Sequence, residues 1–157
     1  MNSIIFMMLF ASIIGKSDKT SLESAINSKL ITYSVSSNGN GIKDGILTIS
    51  LENKSKKSLN LLIPAGAIFK CSDDPRQDQI NVDQRVFVLQ PNKSVSKNLI
   101  TMCIESHDSG PGDKIGYRYE KLAKENLLAC ARYLNSHSIF NSAGQSAIWV
   151  FSDQESP

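Results

Sequence analysis

Neither sign of charge is in excess: 17 Lys and Arg stand against 15 Asp and Glu in 157 residues, a formal net charge of +2. That balance excludes the strongly basic surface by which proteins hold nucleic acid or an anionic membrane. Histidine is scarce, with only His107 and His137, and cysteine occurs three times, at Cys71, Cys103 and Cys130. These five residues lie scattered without a paired motif, so no zinc site is expected. Cys103 and His107 or His137 can be drawn as a nucleophile and base, which keeps a cysteine-dependent hydrolase as a third reading, but no local protease signature accompanies them. No apolar run reaches the roughly twenty residues that a bilayer-spanning helix needs.

The most apolar run, Ile4–Gly15, has twelve residues and no charge, and Lys16 follows at once. Its length suits the apolar region of a secretory signal peptide, with small residues at Gly15 and Ser17 for cleavage after Ser17. No cysteine lies near its end, which argues against a bacterial lipoprotein anchor. Gly15-Lys16-Ser17 is not a phosphate loop, because Phe10 stands where that loop needs glycine. The sequence therefore predicts a signal peptide over 1–17 and one α+β domain over 18–157. The destination expected is secreted, periplasmic or cell-surface, with no membrane insertion after signal removal. In an exported protein an odd cysteine count leaves at least one thiol outside an internal disulfide.

What the chain does have is alternation. Ile31, Tyr33 and Val35, then Leu47, Ile49 and Leu51, then Leu59, Leu61 and Ile63 repeat every second residue, the period of a strand with one buried face. Asn38-Gly39, Asn40-Gly41 and Asp44-Gly45 mark a hairpin connection between the first two runs. Pro64 and Gly66 predict a kink, 86–89 a more fully buried strand, and 95–104 a last strand. Residues 18–29 read as a loose polar entry and 105–114 as a loop. From Tyr117 the spacing becomes helical, with Tyr119, Ala123, Leu127, Cys130 and Leu134 in one stripe that ends near Asn135. A second helix begins near Ser142. The fold class expected is α+β: an antiparallel β-sandwich-like sheet followed by two C-terminal helices packed on it. Asn53 and Asn92 begin glycosylation sequons on predicted turns. The acidic loops 71–79 and 105–114 lack the regular spacing of a calcium loop.

Two residues near the ends of these elements raise the functional question. Ser142 and Gln145 fit a capping box, in which the glutamine reaches back to close the helix start. Gln145-Ser146-Ala147-Ile148-Trp149, taken with Cys103-Ile104, also resembles the thioester domains of bacterial surface adhesins. In that family threonine usually precedes the glutamine, where Gly144 stands, and an aromatic residue or leucine precedes the cysteine, where Met102 stands. More widely, 63–66, 102–112 and 145–149 resemble small exported bacterial proteins of unassigned function. The first resemblance implies a Cys103–Gln145 thioester, formed with loss of ammonia, that captures an amine on a host or surface protein. Trp149, Met102 and Phe151 would shield it from water. A Cys71–Cys103 disulfide would exclude it. The alternative is a structural or noncovalent binding domain without chemistry. No cofactor and no metal are expected.

Overall fold

The computed structural model describes residues 18–73 and 75–153. The expected signal peptide lies outside the described residues. Ten strands and three helices follow in order: β1 (Lys19–Ser21), α1 (Leu22–Asn27), β2 (Ile31–Asn38), β3 (Leu47–Asn53), β4 (Leu59–Ile63), β5 (Ala67–Cys71), β6 (Gln79–Asn81), β7 (Arg85–Leu89), β8 (Ser94–Leu99), β9 (Thr101–Cys103), β10 (Asp113–Leu122), α2 (Glu125–His137) and α3 (Ser142–Ser152). They form a seven-stranded sheet, β8-β3-β2-β10-β5-β6-β9, and a three-stranded sheet, β1-β4-β7. Pairing is antiparallel except between β1 and β4. The α+β class, with strands first and two C-terminal helices, is as the alternation predicts.

One detail of the order determines the shape. β8 and β9 occupy opposite edges of the large sheet, yet only Ile100 separates them in the chain. Residues two apart are at most about 7 Å apart at Cα. The sheet must therefore curl until its edges meet. The single strand expected over 95–104 is two strands that leave the corner in different ladders. At that corner the Val82 amide donates to the Ile100 carbonyl at 3.0 Å.

Curling gives the sheet a concave and a convex face, and each has its own core. Ile49, Leu51, Phe69, Leu99 and Tyr117 of the large sheet pack with Leu22, Leu61, Ile63 and Leu89, so the small sheet and α1 fill the concavity. Ile68, Ile80 and Met102 point the other way and pack with Leu127, Cys130, Leu134 and Ile148 beneath α2 and α3. Alternation along β5 assigns Phe69 to one core and Ile68 to the other.

Further expectations are corrected. The strand over 86–89 is not the more fully buried one: in β7 Phe87 and Leu89 are buried, and Val86 and Val88 are exposed. The stretch Asp113–Leu122 is not a loop and a first helical turn but the longest strand, paired with β2 on one side and β5 on the other. Its tyrosines alternate with Arg118 and Glu120, and only Ala123 onwards belongs to the helical stripe. The loose entry over 18–29 contains β1 and α1; Ser21 caps α1 by accepting from the Ser24 amide at 3.2 Å. Asn53 is no exposed acceptor for glycosylation. Its side chain is fully buried, donates to the Lys57 and Leu89 carbonyls at 2.9 Å each, and accepts from Ser55.

Candidate functional site

The site lies where β9, the edge of the large sheet, meets the start of α3. β9 pairs with β6 in the register Gln79 with Cys103, Ile80 with Met102 and Asn81 with Thr101. Its other side faces no strand. An edge residue there would leave one N–H and one C=O unpaired, a cost of about 1–3 kcal/mol each when buried.

Gln145 supplies both missing partners from 42 residues away. The Cys103 amide donates to Gln145 Oε1 at 3.0 Å, and Gln145 Nε2 donates to the Cys103 carbonyl at 2.8 Å. A carboxamide has the donor and acceptor geometry of a peptide group. One side chain thus acts as one rung of an added strand. Gln145 is 7% exposed. Further along the edge, the Ser152 hydroxyl donates to the Ile104 carbonyl at 2.5 Å. Gln145, Ile148 and Ser152 all lie on the buried face of α3.

The capping box is not formed. Asn141 is the cap, accepting from the Ala143 and Gly144 amides at 3.0 and 3.2 Å. Ser142 is already the first helical residue, and its carbonyl accepts from Ser146 Oγ at 3.1 Å. This shift by one residue turns Gln145 away from the cap and towards the sheet. Gly144 has a matching reason. A Cβ there would lie 2.5 Å from the Ile139 carbonyl oxygen and 2.7 Å from Met102 Cε. No side chain fits, threonine included, while α3 sits this close to β9.

The remaining expected residues surround the pair unequally. Met102 is fully buried on the convex face, against the helices. Trp149 follows Gln145 by four residues on α3 and is partly exposed, but its Nε1 is buried without a hydrogen-bond partner. Phe151 is half-buried against the same core.

By alternation the Cys103 sulfur points to the concave side, opposite to Met102. There it accepts a hydrogen bond from Gln79 Nε2 at 3.2 Å. Gln79 is fully buried, and its Oε1 accepts from Thr101 Oγ1 at 3.0 Å. Burial pushes the Cys103 thiol above its ordinary value; the Gln79 bond opposes this and the Glu105 charge adds to it. Beyond the strand end, Glu105 Oε2 accepts from the Asp78 amide at 2.8 Å and Asp78 Oδ1 from the Cys71 amide at 2.7 Å. Burial raises both carboxyls as well. Ile104, Glu105, Asp78 and Ser152 help line a cavity of about 280 Å³ that also meets Lys124, the residue before α2.

The three cysteines are free thiols, and β6 stands between the strands that carry Cys71 and Cys103. Adjacent strands are about 4.8 Å apart, so two steps exceed the Cα separation a disulfide spans. Neither histidine hydrogen-bonds to Cys103. His107 is exposed, and His137 stacks on Tyr133 at 4.0 Å while its Nδ1 meets Ser136 Oγ and the Tyr133 carbonyl. Among the described residues no three His, Cys, Asp or Glu side chains are placed to hold a metal ion. Among the same residues no helix is long and apolar enough to cross a membrane.

The sequence pattern pointed to Cys103 and Gln145 but not to Gln79, Thr101 or Glu105. Only the register that sets Gln79 opposite Cys103 reveals the first, and no local motif carries it. No family model, no curated protein and no solved structure matches this chain.

Proposed function

We propose that the chain is an exported interaction module that captures an amine on a surface or host protein through a thioester between Cys103 and Gln145. The observation that carries this reading is the pair of hydrogen bonds that hold the Gln145 carboxamide on Cys103. Those two hydrogen bonds set the carboxamide beside the residue that would attack it. The Cys103 sulfur attacks the Gln145 side-chain carbon, the C–N bond breaks, and nitrogen leaves as ammonia with the thiol proton. The oxygen that becomes negative during attack is Oε1, which already accepts from the Cys103 amide; a fixed donor of that kind favours the charged state. Capture reverses the roles. An amine nitrogen attacks the same carbon, the C–S bond breaks, and an amide and a free thiol remain. Export rests on the apolar run Ile4–Gly15.

A second reading has its own observation. Both polar atoms of Gln145 are satisfied by the Cys103 main chain, so closure of the sheet edge accounts for the residue without chemistry. The protein would then be a noncovalent binding or structural domain. Peptide mass spectrometry after incubation with methylamine separates the two. Covalent capture expects methylamide at Gln145 in the wild type and none in Cys103→Ala. Unmodified Gln145 in both proteins would leave edge closure as its role.

A further inference from the structure

We propose that Gln79, oriented by Thr101, is a positioning residue that carries the Cys103 sulfur through its anionic state and so sets how fast the centre reacts. The inference rests on the covalent reading for its purpose, but its geometry stands by itself. When an amine opens the thioester, the electron pair of the breaking C–S bond stays on sulfur. That sulfur is a thiolate until it takes the proton released by the amine nitrogen. Its surroundings oppose the charge: burial is the largest effect, and the Glu105 carboxylate adds to it. Against these, the Gln79 N–H stabilises the charge, aimed at the sulfur at 3.2 Å.

A carboxamide can present either end, and Thr101 decides which. Its hydroxyl donates to Gln79 Oε1 at 3.0 Å, which turns the NH2 end towards Cys103. Thr101 and Gln79 are both fully buried, so water does not compete for the bond between them. The three residues form a short relay across β6 and β9, on rungs of the same face with the Ile80–Met102 rung between them. Cys71 sits differently: its amide is held by Asp78, and its side chain bonds to Tyr117.

The test follows the rate of iodoacetamide alkylation at Cys103 against pH, read by peptide mass spectrometry, with Cys71 as internal reference. Wild type is compared with Gln79→Met, which keeps the volume, and Thr101→Val, which keeps the shape and removes the hydroxyl. Any thioester is first opened with methylamine, and the rate of opening is recorded. In Gln79→Met the Cys103 profile should move to higher pH, and both alkylation at neutral pH and opening should slow by about tenfold to a hundredfold, as for loss of a hydrogen bond to a charged group. Thr101→Val should move the same readouts in the same direction by less, with the Cys71 profile unchanged in both. If Gln79→Met does not fold, Thr101→Val alone decides. A Cys103 profile that coincides with wild type in the folded variants would overturn the proposal. If wild type shows no thioester, covalent capture fails, while the alkylation profiles still decide whether Gln79 governs the sulfur.

Discussion

The two edges of the seven-stranded sheet meet at Ile100 but are protected in opposite ways. β8 exposes Ser94, Ser96, Lys97 and Asn98 and hides only Leu99 fully. Its hydroxyl and amide side chains bond back to β3, Ser96 to Ser50 at 3.0 Å and Asn98 to Thr48 at 2.9 Å. Polar, charged residues of this kind discourage another strand from adding to the edge. β9 has three residues, of which Thr101 and Met102 are fully buried. Its edge is covered by a helix, and a side-chain amide takes the place of the next strand. A solvated edge tolerates change because water replaces each lost partner. A covered edge does not, because nothing else can reach it.

The contrast can be broken most severely at Gln145. Gln145→Leu leaves the Cys103 N–H and C=O buried and unpaired, and denaturant unfolding should show a loss of about 3 kcal/mol. Gly144→Ala should follow at about 1–3 kcal/mol, because the new methyl must push α3 from Ile139 and Met102. Hydrogen exchange would localise that loss to α3 and β9 and leave β8 unchanged.

A third change concerns charge beside β9. Burial raises the Glu105 carboxyl above its ordinary 4.5. The folded state therefore binds its proton more tightly than the unfolded state. The stability this contributes is complete below the unfolded value and is lost as pH rises through the folded one. The thermal stability of wild type should fall across that window, and Glu105→Gln should flatten the dependence while its side-chain oxygen still accepts from the Asp78 amide. The smallest effect is expected on the open edge: Lys97→Ala should alter stability by no more than about 0.5 kcal/mol. A large loss there would erase the distinction between the edges.

The same contrast explains how much was legible in the sequence. Strands with one buried face, such as β3 with Leu47, Ile49 and Leu51, announce themselves by alternation. β10 does not, because it is mostly exposed or half-buried and Tyr119 stands four residues before Ala123, in phase with the stripe of α2. The corner at Ile100 is silent because both β8 and β9 are extended, and only pairing partners reveal that the ladder changes. The sequence marked Cys103 and Gln145 by their local motifs, and the structure brings them together. It pointed to the wrong capping residue because Asn141 and Ser142 are both good caps, and packing of Gly144 on Met102 selects the register. Gln79 was invisible, since its relation to Cys103 is one of strand register, not spacing along the chain.

Covalent capture at the closed edge is tested most directly by the intact mass of freshly purified, reduced protein compared with Cys103→Ala. The wild type should be lighter than its sequence by one ammonia, the variant should not, and methylamine should raise the wild-type mass by adding one molecule of itself. A wild-type mass equal to that of the full sequence, with Cys103 alkylating as a free thiol, would contradict the thioester and leave Gln145 as the rung that closes β9.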